Sequence, residues 1–128
     1  MAVPPRVKVY FDGGYRPAPI GMETAVVVGG RSYLQRDLGP GTSMEAEWLA
    51  LRHAVQIARE LGLANPLFVG DSLAVVSQAN GAAKCRGAAA KHFEALQALR
   101  AASGPLHIRH VKRAQNLAGI ALARLHAR

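Results

Sequence analysis

Two adjacent glycines, Gly29 and Gly30, stand between the β-rich runs at residues 23–28 (ETAVVV) and 31–36 (RSYLQR). A two-residue link of this kind makes a tight hairpin, because a primed turn needs positive φ at both positions. The early part of the chain is therefore expected to be antiparallel. Residues 6–11 (RVKVYF) read as a strand that precedes the hairpin, with Asp12 at its end and Gly13-Gly14 letting the chain turn away. Beyond a loop at 37–41 the rhythm changes. Met44, Trp48, Leu51, Val55 and Ala58 recur at three- and four-residue spacing, which predicts one long helix over residues 43–62. Thr42 is its expected N-cap, Glu45 completes a capping box, and Gly62 ends it. The apolar run at 66–70 (PLFVG) reads as a short strand buried on both faces. A short helix over 72–80 stops at Asn80-Gly81, and the basic joint GAAKCRG leads into a helix over 88–102. Ser103-Gly104-Pro105 breaks that helix. Residues 106–111 (LHIRHV) read as a last strand and 115–126 as a last helix. The order β-β-β-α-β-α-α-β-α, a meander followed by crossover helices, belongs to an α/β domain with a mixed sheet and helices packed on it.

The chain has 128 residues, enough for one domain over 1–128 with a real core. Half of the residues are hydrophobic but only 5% are aromatic, so Ala, Val and Leu must build that core. Cys85 is the one cysteine, so no intrachain disulfide forms; it reads as a small residue in a loop or on a helix face. Catalysis by Cys85 would need a base, and His92 is the one close by in sequence. The N-terminal MAVPPRVKVYF lacks the apolar run of a signal peptide, and no apolar stretch reaches membrane-spanning length. A soluble, cytoplasmic protein without a membrane partner is the expectation.

Net charge is +8, and it is unevenly placed. Residues 1–80 balance seven Lys/Arg against seven acids, while residues 81–128 carry nine Lys/Arg against Glu94 alone. Such asymmetry points to a polyanionic partner, most simply a phosphate backbone. A surface that serves only solubility is the plainer alternative. Lys84, Arg86 and Lys91 cluster around the joint before the 88–102 helix. Arg109, Lys112 and Arg113 cluster at the end of the last strand.

Asp12 and Asp71 both follow apolar strands and both precede small residues. In open α/β sheets ligands gather beyond the carboxyl ends of strands, so neighbouring strands would bring the two carboxylates together there. Glu47, in the first turns of the long helix, has no capping duty and can face the sheet edge. Three close carboxylates repel one another unless a cation neutralises them. Oxygen ligands suit hard ions, which makes Mg²⁺ or Mn²⁺ the expected cofactor. Each acid also has an ordinary alternative: Asp12-Gly13 as a turn, Asp71-Ser72 as a helix cap. Trp48 reads as core. His110, at a strand end, reads as a packed or solvated residue rather than a general base.

With these residues in place, the chain resembles the type 1 ribonucleases H over nearly its whole length. DGG at 12–14 resembles the family's first-strand motif and AEWLAL at 46–51 its Ala-Glu-aromatic helix motif. GDS at 70–72, followed by Gln78-Ala79-Asn80-Gly81, resembles its third-carboxylate segment, and HVKRAQNLAGIALARL its closing segment. The resemblance implies a ribonuclease H-like fold: a five-stranded mixed sheet, an antiparallel meander plus two parallel strands, with helices on both faces. It implies cleavage of the RNA strand of RNA–DNA hybrids with two divalent ions, held by Asp12, Glu47 and Asp71. It also implies nucleic-acid contacts at Gly13, Gly14, Ser43, Ser72, Asn80 and Asn116, beside the basic Lys84, Arg86, Arg109, Lys112 and Arg113. Two stretches depart from the family pattern. Gly119 stands where a fourth Asp is usual, so the second ion's site is incomplete unless Asn116 or water fills it. Ser43 and Met44 stand where the family often has Asn.

Two readings follow. One is a hybrid-specific endoribonuclease, slowed or Mn²⁺-dependent, working with three carboxylates. The other is a domain that grips hybrid or duplex nucleic acid through its basic half without efficient cleavage. A nuclease of the same superfold with another substrate would share the metal site but not the hybrid specificity.

Overall fold

A computed structural model describes residues 6–126. Its strands are β1 (Val7–Arg16), β2 (Gly21–Val28), β3 (Arg31–Gln35), β4 (Pro66–Gly70) and β5 (His107–His110). Its helices are α1 (Ser43–Glu60), α2 (Leu73–Ala79), α3 (Ala88–Ser103) and α4 (Leu117–Arg124), with a 3₁₀ turn over Arg113–Gln115. The sheet runs β3-β2-β1-β4-β5. β1, β2 and β3 form the expected antiparallel meander, and β4 and β5 add the two parallel strands. Gly29 and Gly30 have φ of 59° and 75°, which fits the primed hairpin turn read from the sequence. No helix among the described residues is long and apolar enough to cross a membrane.

Helices cover both faces. On one, α1, α2 and α3 bury Trp48, Leu51, Val55, Val75 and Leu96 against Val9, Phe11 and Phe68. On the other, Ala118 and Leu122 of α4 pack on Ala25 and Val27. Covered on both sides, every residue of β2 is buried. Burying each large side chain such as Phe11 or Leu51 contributes about 1.5–3 kcal/mol, so the three-helix face supplies most of the stability and the α4 face is thin.

The main departure from expectation is in β1. It does not stop at Asp12 but continues through Gly13 and Gly14 to Arg16, paired with β2 from Asp12↔Ala25 to Arg16↔Gly21. The glycines serve close packing rather than a turn. A Cβ on Gly13 would overlap the Ala46 carbonyl of α1, and one on Gly14 would lie 3.1 Å from Leu122 Cδ2 of α4. Consecutive strand residues point to opposite faces, so each glycine lets one helix approach. At the N-terminus of α1, Thr42 Oγ1 accepts from the Glu45 amide at 3.0 Å. The Glu45 carboxylate lies 3.6 Å from His92 Nε2. The last helix is shorter than expected, starting at Leu117 because Asn116 caps it.

Candidate metal centre and nucleic-acid groove

Parallel pairing of β1 and β4 sets Tyr10 beside Val69, so Asp12 and Asp71 come level just where β4 ends. With β4 finished, the Gly13 amide has no strand partner on that side, and Glu47 of α1 fills the gap: Gly13 N–H donates to Glu47 Oε1 at 2.7 Å. One carboxylate oxygen from each of Asp12, Glu47 and Asp71 lies within 4.8 Å of the others. A strand, a helix and a second strand thus converge three acids on one point.

Water reaches this point poorly. Burial, then the adjacent Asp12 carboxylate, push Glu47 up to about 9. Burial also raises Asp12, partly offset by the adjacent Glu47 carboxyl, reinforced by Asp71 and offset again by the Arg113 cation. Glu47 Oε2 is the buried side-chain oxygen without a hydrogen-bond partner among the described residues. A buried unpaired carboxylate oxygen is costly, and a hard divalent cation is what such an oxygen, flanked by two more carboxylates, would satisfy. The donor set therefore fits the expected metal.

Position 119 faces the same point. A Cβ on Gly119 would lie 3.3 Å from Asp12 Oδ2 and 3.7 Å from Asp71 Oδ2, so a side chain there would enter the cluster. Asn116 does not take its place as a ligand, nor does it reach nucleic acid. It is fully buried. Its Nδ2 donates to the Phe11 carbonyl and to Asp71 Oδ2, both at 3.0 Å. Its Oδ1 accepts from the Ala118 amide at 3.1 Å. All of its polar capacity goes into capping α4, tying that helix to β1 and aiming Asp71.

The acids lie in a groove of about 910 Å³, shared with Gly13, Gly14, Ser43, Ser72 and Arg113. The Ser72 hydroxyl also caps α2 through the Val75 amide at 3.3 Å. Arg109 and Lys112 are exposed beside the end of β5. Lys84 and Arg86 flank a separate hollow of about 500 Å³ next to α3. Asn80 is not part of the groove; its amide donates to the Ile108 carbonyl at 2.9 Å and clips α2 to β5. His110 is exposed. Burial raises the Cys85 thiol, and His92 is committed elsewhere, stacked on Trp48 at 6.0 Å and bonded to Arg52 at 3.1 Å. A Cys–His pair is therefore not formed.

Among the groove residues that escaped the sequence reading are Glu23 of β2 and His126 just past α4. Glu23 is only 2% exposed. Burial alone would raise it, but hydrogen bonds from His126 (2.6 Å) and Arg36 (2.9 Å) outweigh burial and hold it below the ordinary value. The signal was an acid at the head of an otherwise apolar strand, since charges are almost never buried unpaired.

The chain matches the reverse transcriptase-like family over residues 25–126, a span that includes Glu47 and Asp71 and begins after Asp12. No curated protein matches it. Among solved structures it is similar to RNase H1 from the halophilic archaeon Halobacterium salinarum NRC-1. That match has 28% identity over 96% of this chain and 100% of that one, with a TM-score of 0.77. It is also similar to the N-terminal RNase H domain of rv2228c from Mycobacterium tuberculosis, solved as a maltose-binding-protein fusion. There the identity is 25%, the coverage 95% and 99%, and the TM-score 0.71. LC11-RNase H1, solved in complex with an RNA/DNA hybrid, shares the fold at 23% identity, 88% and 89% coverage and TM-score 0.76.

Proposed function

The chain belongs to the reverse transcriptase-like family and has the ribonuclease H fold, and from that premise we propose that it is a divalent-metal-dependent endoribonuclease acting on the RNA strand of RNA–DNA hybrids. The observation that carries this reading is the convergence of Asp12, Glu47 and Asp71 around the buried, unpaired Glu47 Oε2. These three carboxylates would hold Mg²⁺ or Mn²⁺, which supplies charge neutralisation at the phosphoryl group and an activated water. The protein's own work is positional. The Gly13 amide fixes one oxygen of Glu47, and Asn116 fixes Asp71. Arg113, beside Asp12, meets the phosphate backbone and sets its register without reading sequence. Ser43, at the open start of α1, offers a hydroxyl to the 2′-OH that distinguishes RNA from DNA.

Gly119 favours a second reading. With no side chain on the α4 side of the cluster, the domain would grip hybrid but cut it inefficiently. Cleavage of a labelled RNA–DNA hybrid in Mg²⁺ and in Mn²⁺, with Asp12→Asn as control, separates the two. Cleavage that Asp12→Asn abolishes supports the nuclease. Binding without cleavage in either metal makes the protein a hybrid-binding domain.

A further inference from the structure

The groove has a second built feature. Asp12, Gly14, Ala25 and Glu23 share the sheet face covered by α4, since Asp12 pairs with Ala25 and Gly14 with Glu23. Leu122 fills the space over Gly14, and Glu23, itself almost fully buried, meets the groove together with the residue it holds. That residue is His126. Its Nε2 bonds Glu23 Oε1 at 2.6 Å, and Arg36 Nε takes Glu23 Oε2 at 2.9 Å. The His126 side chain keeps 16% of its exposure and lines the groove, and its Nδ1 has no hydrogen-bond partner among the described residues. A buried carboxylate thus orients an imidazole that lines the channel holding the acids, with its second nitrogen unpaired among the described residues.

We propose that His126, oriented by Glu23 and backed by Arg36, contacts a backbone phosphate of the bound nucleic acid one or two steps along from the phosphate at the acid cluster. The assignment rests on the nuclease reading above. Glu23 lies two strand residues beyond Asp12 in register, an offset of about 7 Å. Each strand of a duplex carries one phosphate per about 3.4 Å of axis, so the anchor of His126 is displaced from Asp12 by the scale of one or two phosphate steps. Charge agrees. The Glu23 carboxylate is already offset by Arg36, and Arg16 lines the same stretch of groove, so an approaching phosphate meets net positive charge there. Both ring nitrogens donate only in the imidazolium form, in which one N–H held by Glu23 leaves the other to meet an anion with fixed direction. His126 is a positioning residue.

The alternative is that the pair only ties the end of α4 to β2. His126→Gln discriminates, because glutamine keeps a donor for Glu23 but cannot become a cation; His126→Ala removes both. Hybrid affinity is measured against salt concentration for the full chain and both variants, with melting curves and steady-state cleavage alongside. The expected result is weaker binding by about tenfold and a salt slope shallower by about 0.9, one phosphate's worth, in both variants. The loss should fall on KM rather than kcat. Gln restoring wild-type affinity and slope would overturn the assignment in favour of a tether, as would weaker binding at an unchanged slope. A wild-type protein that neither binds nor cuts hybrid would overturn the nuclease reading itself and this contact with it, an outcome visible before any variant is made.

Discussion

Glu47 is the residue on which the chemistry and the stability of the fold meet. In the metal-free protein its carboxyl is pushed up to about 9 from an ordinary 4.5. Between those two values the folded state keeps a proton that the unfolded chain has lost. Stability therefore falls as pH rises through this window, by at most about 1.4 kcal/mol per pH unit. Below 4.5 both states are protonated and the penalty vanishes. Glu47→Gln removes the titrating group, so melting temperature between about pH 5.5 and 8.5 should decline for the metal-free wild type and stay nearly level for the variant. At the upper end the variant should be the more stable. Parallel melting curves would refute the assigned proton. The same proton must leave when a cation binds, so Mg²⁺ or Mn²⁺ affinity should rise with pH, with about one proton released per ion in calorimetry run in buffers of differing ionisation heat.

Elements differ in how far sequence could define them. Periodicity and the Thr42 cap located α1, which runs from Ser43 to Glu60, and flanking signals located β4 at Pro66–Gly70. Local chemistry decides such segments. Gly13-Gly14 misled because a glycine pair usually means a turn, whereas here helices press on the strand from both faces, and that pressure exists only in the folded molecule. Asn116 misled likewise: its partner Phe11 lies 105 residues away. Helix α4, tied at one end by Asn116 and just past the other by His126, presents Gly119 to the acids. Replacing Gly119 by Asp gains well under 1 kcal/mol in helix propensity. A fourth carboxylate about 4 Å from the others costs up to roughly 4 kcal/mol for each charged neighbour at an effective dielectric near 20. Repulsion wins, so Gly119→Asp should lower the melting temperature of the metal-free protein. With Mg²⁺ the sign reverses: thermal stabilisation by the ion and hybrid cleavage should both increase, cleavage by about tenfold, the equivalent of roughly 1.4 kcal/mol of transition-state stabilisation. Unimproved cleavage at saturating Mg²⁺ would show that the open side of the cluster is not what limits the site.

Across the whole molecule, the acids and the cations divide the labour. Residues 1–80 are neutral and contribute all three clustered carboxylates, while residues 81–128 hold the entire excess of +8. The fold brings part of that excess back to the acids, since β5 pairs with β4 through Gly70↔His110 and so delivers Arg113 into their groove, with Arg109 and Lys112 exposed on the edge next to it. A polyanion drawn to this edge meets the carboxylates only where a metal has neutralised them, so the basic edge should govern binding and the cluster should govern turnover. Lys112→Ala with Arg113→Ala tests the division. Arg113 also acts on Asp12, so cleavage would mix two effects and equilibrium binding is the cleaner measurement. For every phosphate that a removed cation had neutralised, the salt slope should become shallower by about 0.9. The double variant should bind hybrid at least tenfold more weakly near physiological salt, about 1.4 kcal/mol or more. The weakening should be the same for hybrids of unrelated sequence, because phosphate contacts carry no sequence information. A salt slope identical to wild type would mean that this edge keeps the protein in solution and that the backbone is held elsewhere, with Lys84, Arg86 and Lys91 the next cations to replace.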